Sequence, residues 1–242
     1  MKRSKQKISG LLDLHSHMLP GMDDGSESPE ESLEMVRESV RQGVRHLAMT
    51  PHFYPRREAP ERFLRRRERA IGKLAAALQA EKRVPEIFFG AEVEFFDGIS
   101  RVDEMKEMCI GYSDILLVEM PFCRWSHRVV SELINIRDRL EVRPVLAHIE
   151  RYLDYQDDEA IREILDQGIY MQANGSFFLR RSSARTAMKM LKNGHIHLLG
   201  SDSHNLDSRP PNLGLAVEKI LAKCGEDALS YLFRMQELVL KR

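Results

Sequence analysis

The residues of this chain that are able to do chemistry gather at the ends of short apolar runs. In DLHSHMLPGMDDG, His15 and His17 are separated by one residue. Side chains at i and i+2 of a strand share a face, so the two imidazoles project together from a strand end, with the turn carrying Asp23 and Asp24 folding back over them. The same punctuation recurs: His52 in TPH, Glu92 in GAEVEF, Glu119 in LLVEMP, His148 in VLAHIER, and Asp202 with His204 in LLGSDSHN. One such group after an apolar run is ordinarily a structural hydrogen-bonding residue. Six runs that all end this way would crowd ionisable groups at a large cost in desolvation and repulsion unless cations lie among them. The candidate ligands are therefore His15, His17, Asp24, His52, Glu92, Glu119, His148, Asp202 and His204. Imidazole and carboxylate without thiolate suits Mn²⁺, Fe or Zn²⁺ in an open catalytic site. The donors exceed the need of one ion, so two or three ions are expected, and their surplus positive charge favours a phosphate substrate.

Several neighbours compete for these roles. From the residues alone Asp23 and Asp24 are equivalent, Glu94 shares the strand face of Glu92, and Glu150 follows His148 by two. A second H-x-H, His195 and His197, lies at the start of its run. Five strand residues put His197 roughly 16 Å from Asp202, so this pair reads as structural. His46 and His127 have no partner at suitable spacing. No cysteine is followed six residues later by arginine, since those positions hold Ile115, Val129 and Ser230. A thiolate phosphatase loop is thereby excluded, and the expected nucleophile is a hydroxide bridging the metals.

Positioning these groups requires strand ends that converge. Strand candidates lie at 11–16, 45–50, 86–92, 114–119, 143–148, 168–173 and 196–201. Amphipathic helices separate them, near 60–82, 126–140, 157–166, 182–192 and 213–223, with a last one near 226–240. The first helix has a clear start: Ser28 as N-cap, Pro29 in the first turn, Glu31 placed to close a capping box, and Gly43 beyond its end. The alternation predicts an α/β fold with a parallel sheet, curled into a distorted TIM-like (β/α)7 barrel, with an open doubly wound sheet as the alternative. In a barrel all the marked strand ends meet on one rim.

The 242 residues suit a single domain spanning 1–242, with no repeat or linker. Lys plus Arg equals Asp plus Glu at 37 each, which disfavours nucleic acid as a partner. RFLRRRERAIGK, on the helix near 60–82, reads as a solvated face rather than a binding patch. Three scattered cysteines, no apolar leader and no long apolar segment predict a soluble cytoplasmic protein without membrane insertion.

The ordered set DLHSH, the Asp-Asp-Gly turn, TPH, GAEV, VEMP, AHIERY and SDSHN followed by RPP resembles the polymerase and histidinol phosphatase (PHP) superfamily. Within it, the similarity is to the bacterial manganese-dependent protein tyrosine phosphatases of capsule and exopolysaccharide synthesis. It runs from Asp13 to Pro211. The resemblance implies a PHP-type barrel with a trinuclear metal centre, selects Asp24 over Asp23 and Glu92 over Glu94, and assigns Arg151 and Arg209 to the substrate phosphate. It also implies a phosphotyrosyl protein as substrate, the tail of a bacterial tyrosine kinase. A small phosphate monoester of the histidinol phosphate type is the alternative. The segments PFCRWSHR and FYPRREAP look specific to this chain.

Overall fold

The computed structural model describes residues 8–240. Among the described residues nine strands occur: β1 Leu11–Asp13, β2 Val44–Met49, β3 His52–Phe53, β4 Glu86–Phe89, β5 Glu92–Glu94, β6 Ile115–Glu119, β7 Arg143–Leu146, β8 Tyr170–Asn174 and β9 Leu198–Gly200. All named pairings are parallel, in a three-stranded sheet β1-β2-β4 and a six-stranded sheet β3-β5-β6-β7-β8-β9. Backbone bonds join the sheets into one ring. Thr50 N donates to Ser16 O and Glu92 N to Pro51 O, while Leu14 N donates to Leu199 O and Asp202 N to His15 O, tying the last strand to the first. The barrel expected from the alternation of strands and helices is thus present, and the open sheet is not.

The expected strand 86–92 is interrupted between β4 and β5, and β3 is a short second segment beyond the end of the expected strand 45–50. Pro51 has no N–H to donate, so the ladder of β2 cannot run on unaltered. Gly90 marks the matching break between β4 and β5, where a Cβ would stand 2.9 Å from Ile110 Cγ1. Past these bends His52 and Glu92 become register partners.

Inward-facing Leu12, Leu14, Ala48, Leu117, Val145 and Leu198 fill the barrel, with Val239 in the same buried cluster. The larger cluster lies between the ring and the helices. Those helices are α1 Pro29–Arg41, α2 Pro60–Leu78, α3 His127–Leu140, α4 Asp158–Asp166, α5 Gly175–Leu179, α6 Ala184–Lys192, α7 Leu213–Cys224 and α8 Glu226–Leu240. Ser28 Oγ accepts from Glu31 N at the start of α1, whereas the Glu31 carboxylate accepts from Glu27 N, one residue before the position a capping box requires. Five-residue α5 is too short to show a period in the sequence. No described helix is long and apolar enough to cross a membrane.

Candidate metal centre

Every one of the nine candidate ligands stands on the same rim, and Glu92 is at its middle. Its Oε2 lies 3.0 Å from His15 Nε2, 3.2 Å from His17 Nε2 and 3.0 Å from His52 Nδ1. Its Oε1 lies 2.8 Å from His148 Nε2. Around it form three groups whose donor atoms lie within 4.8 Å of one another: His15, His17 and Asp202; His17, Asp24, His52 and His204; and His52, Glu92 and Glu119. His148 adds to the third, with Nε2 3.3 Å from Glu119 Oε1.

The outer hydrogen bonds fix which ring nitrogens are protonated. Gln172 Oε1 accepts from His148 N at 2.7 Å and therefore also accepts from His15 Nδ1 at 3.2 Å. His17 Nδ1 donates to Asp23 Oδ2 at 2.7 Å, and His204 Nδ1 to the Asp202 carbonyl at 3.1 Å. In neutral rings the Nε2 atoms of all three carry lone pairs. The two lone pairs of His15 and His17 then face each other across 3.0 Å, beside an anionic carboxylate. His204 Nε2 and His52 Nδ1 are buried with no hydrogen-bond partner. Lone pairs and negative charge aimed at shared points repel unless a cation lies between them, so this donor set fits divalent metal ions.

The electrostatics report the same crowding. Burial alone would depress His17, but Asp23, Asp202 and Glu92 outweigh it and raise its pKa well above the imidazole range. His148 rises to about 9, because its bonds to Glu119 and Glu92 overcome burial. His204 falls to about 4 through burial, then the charges of His17 and Arg209. Burial opposes ionisation of Glu92 and Asp202, yet the histidines around them hold both well below the usual carboxylate range.

Two tight backbone approaches bring the rim together. A Cβ on Gly25 would lie 2.1 Å from His17 O, so only glycine lets the acidic turn fold onto that histidine. A Cβ on Gly200 would lie 2.5 Å from His15 Cβ. His148 and Asp202 sit in left-handed backbone, at φ 33° and 52°, which turns each side chain at its strand end.

Asp23 and Asp24, equivalent by spacing, are placed differently. Asp23 lies behind the rim, bonded to His17 Nδ1 and accepting from His52 N at 2.8 Å. Asp24 is exposed and faces the histidines, 3.5 Å from His204 Nε2 and 3.8 Å from His52 Nε2. Glu94 is absent from the three groups, and Glu150 turns back to accept from Asn174 N. His197 Nδ1 accepts from Met171 N, a structural bond between β8 and β9. Arg151 and Arg209 converge on Asp202. Arg209 Nη2 is 2.7 Å from Oδ1, Arg151 pairs with Oδ2, and each arginine is about a third exposed. Gln172 and Asn174, the latter donating to Asp202 Oδ2 at 2.8 Å, are not among the candidates that the spacing of ionisable residues marks. Their signal was alternation: two amides at i and i+2 of an otherwise apolar strand. Buried Cys109 has its thiol pushed up to about 12 by burial, then by Asp114, and is no nucleophile. A cleft of about 650 Å³ opens beside Arg151 and Arg209. Another, of about 430 Å³, opens beside Asp24 and His52.

The fold is shared with known structures. One solved structure, from work on YwqE of Bacillus subtilis and CpsB of Streptococcus pneumoniae described as unique metal-dependent tyrosine phosphatases, superposes with TM-score 0.78 at 23% identity, covering 92% of this chain and 94% of that one. A TatD family hydrolase of Entamoeba histolytica gives TM-score 0.56 at 10% identity, with 94% and 97% covered. In sequence, the chain is 33% identical to the tyrosine-protein phosphatase CpsB of Streptococcus pneumoniae over 239 residues, 92% of this chain and 95% of that protein. It is 26% identical to the tyrosine-protein phosphatase YwqE of Bacillus subtilis over 241 residues, 96% and 92% of the two. The profile of the family described as capsular polysaccharide synthesis, CpsB/CapC, matches residues 11–239. With that match spanning the whole ring and rim, the chain belongs to the CpsB/CapC family of capsular polysaccharide synthesis proteins.

Proposed function

We propose that the protein is a manganese-dependent protein tyrosine phosphatase. Its substrate is the phosphorylated tail of a bacterial tyrosine kinase that governs capsule or exopolysaccharide synthesis. The observation that carries this reading is the meeting of His15 Nε2 and His17 Nε2 at 3.0 Å with Glu92 Oε2 beside both. His15, His17 and Asp202 would hold one ion, Asp24, His52 and His204 another, and Glu119 with His148 a third, with Glu92 central among these residues. Divalent cations held there supply Lewis acidity toward the phosphoryl oxygens and lower the pKa of water to near neutrality.

The chain's own residues do the rest. Asp23 and Gln172 keep the Nε2 lone pairs of His17 and His15 turned inward. Arg151 and Arg209 reach solvent from either oxygen of Asp202, and their planar forks suit a phosphoryl group entering beside it. The departing phenolate of tyrosine has a pKa near 10, so modest proton donation suffices. A cytoplasmic setting agrees with three cysteines that form no disulfide.

With Mn²⁺ present, phosphotyrosyl peptides are expected to be hydrolysed in preference to phosphoserine peptides and small alkyl phosphates. Glu92→Gln should lower kcat/KM by more than about a hundredfold, since it removes the shared carboxylate itself rather than a supporting bond. Equal turnover of alkyl phosphates and phosphotyrosyl peptides would reject the assignment.

A further inference from the structure

The cleft beside Asp24 and His52 is also lined by Tyr54, Arg57, Glu58, Arg62 and Arg66. Tyr54 stacks on His52 with centroids 4.9 Å apart, and the Arg57 guanidinium lies 4.3 Å from the Tyr54 ring centre. Arg66 is neutralised by Glu58, and Arg62 stays loosely placed, 3.8 Å from that same carboxylate. Among the described residues, Arg57 has no carboxylate partner.

From this cleft a basic stripe leaves along α2. At 100° per residue Arg62, Arg66, Arg69 and Lys73 fall within an arc of about 60°, whereas Glu61 and Glu68 lie about 80° and 100° beyond its edge. Phe63, Ala70 and Leu74 mark the buried face, to the other side of the stripe. Arg62, Arg69 and Lys73 are exposed. The run that reads in sequence as a solvated face is therefore sorted by sign, and its basic edge begins at the wall of the metal centre. From Arg62 to Lys73 the helix rises about 16 Å, the reach of roughly five extended residues.

We propose that this cleft and stripe bind anionic side chains flanking the phosphotyrosine, so that the substrate is an acidic peptide segment. This rests on the phosphatase reading. Tyr54 and His52 line one concavity, which a peptide enters and a lipid surface does not.

The test compares Mn²⁺-loaded protein on three phosphotyrosyl dodecapeptides whose flanking positions are acidic, glutamine or lysine. The acidic peptide is expected to show a KM about tenfold below the glutamine peptide, from the sum of a few exposed ion pairs. Half-molar salt should erase that difference. The triple variant Arg62→Glu, Arg69→Glu, Lys73→Glu should reverse the preference toward the lysine peptide, with hydrolysis of p-nitrophenyl phosphate reporting an intact centre. Equal KM for all three peptides in active protein overturns the inference and leaves the phosphatase reading standing. Binding to phosphatidylserine vesicles that the triple variant abolishes, with peptide preference unchanged, also overturns it and assigns the stripe to lipid. If no phosphopeptide is turned over, the phosphatase reading falls. Anisotropy with phosphonate analogues of the same peptides then decides the inference, for which an absent acidic preference is fatal.

Discussion

Asp23 shows how much a single carboxylate behind the rim does. It accepts from His17 Nδ1, from His52 N and, through its other oxygen, from Gly25 N at 3.0 Å, so it sets one imidazole, one backbone and the acidic turn at once. Burial alone would raise its pKa, but the charge and hydrogen bond of His17 and the His52 N–H hold it well below the carboxylate range. Removing it leaves His17 free to rotate or to change tautomer. Asp23→Ala is expected to weaken Mn²⁺ binding by about 10–100-fold, with Asp23→Asn intermediate because the amide oxygen still accepts. Titration calorimetry on stripped protein reads this directly, and unchanged affinity in the alanine variant would remove Asp23 from any orienting role. Asp24, one residue on, is exposed and faces the histidines. The chain has to turn between them for two adjacent carboxylates to act on opposite sides of the same rim.

At the scale of elements, the pairing of β8 with β9 rests partly on a side chain. His197 N donates to Met171 O, and His197 Nδ1 accepts from Met171 N, so the ring replaces a ladder bond that its own backbone does not make. That bond needs Nδ1 unprotonated. Burial, then the neighbouring His195, hold the His197 pKa at about 4 in the folded protein against an ordinary 6.5. As pH falls below 6.5 the unfolded chain takes up the proton first. Stability contributed by the neutral ring is complete above that pH and is lost down to about 4. His197→Asn keeps an acceptor and has no titration, so its melting temperature should fall less than that of the wild type between pH 7.5 and 5, both measured in chelator. An equal fall in the two proteins would show that the ring does not titrate with folding. The broken strands belong to this scale too. Both breaks fall beside ligand candidates, where bends after Thr50 and Gly90 set His52 opposite Glu92.

For the whole molecule, the rim is a cost that metal removes. Buried lone pairs and carboxylates that face one another destabilise the stripped fold, so the ions should contribute to folding as well as to chemistry. Saturation of one site at a hundred times its Kd adds about 2.7 kcal/mol. For a chain of this size, that is a rise in Tm of roughly 5–11 °C. Scanning calorimetry with and without Mn²⁺, reversed by chelator, measures it. No shift at saturating metal would mean that the rim is held together by protons alone. The barrel is what makes this economy possible, because its strand ends converge on one mouth and one or two residues from most of them suffice.

Most of the strands and helices, their order, the preference for a barrel and the polar groups at strand ends were legible in the chain before any folding was considered. Those are encoded locally, in apolar runs, helix periods and the residue that ends each run. Spacing alone did not separate Asp23 from Asp24, place Gln172 and Asn174 behind the histidines, or show that the two outer arginines share Asp202. These depend on contacts between segments as far apart as His15 and Gln172, or Arg151 and Asp202, which no spacing along the chain expresses. Tertiary structure decided them because tautomer, bond direction and charge are settled only when distant strand ends stand within a few ångströms of each other.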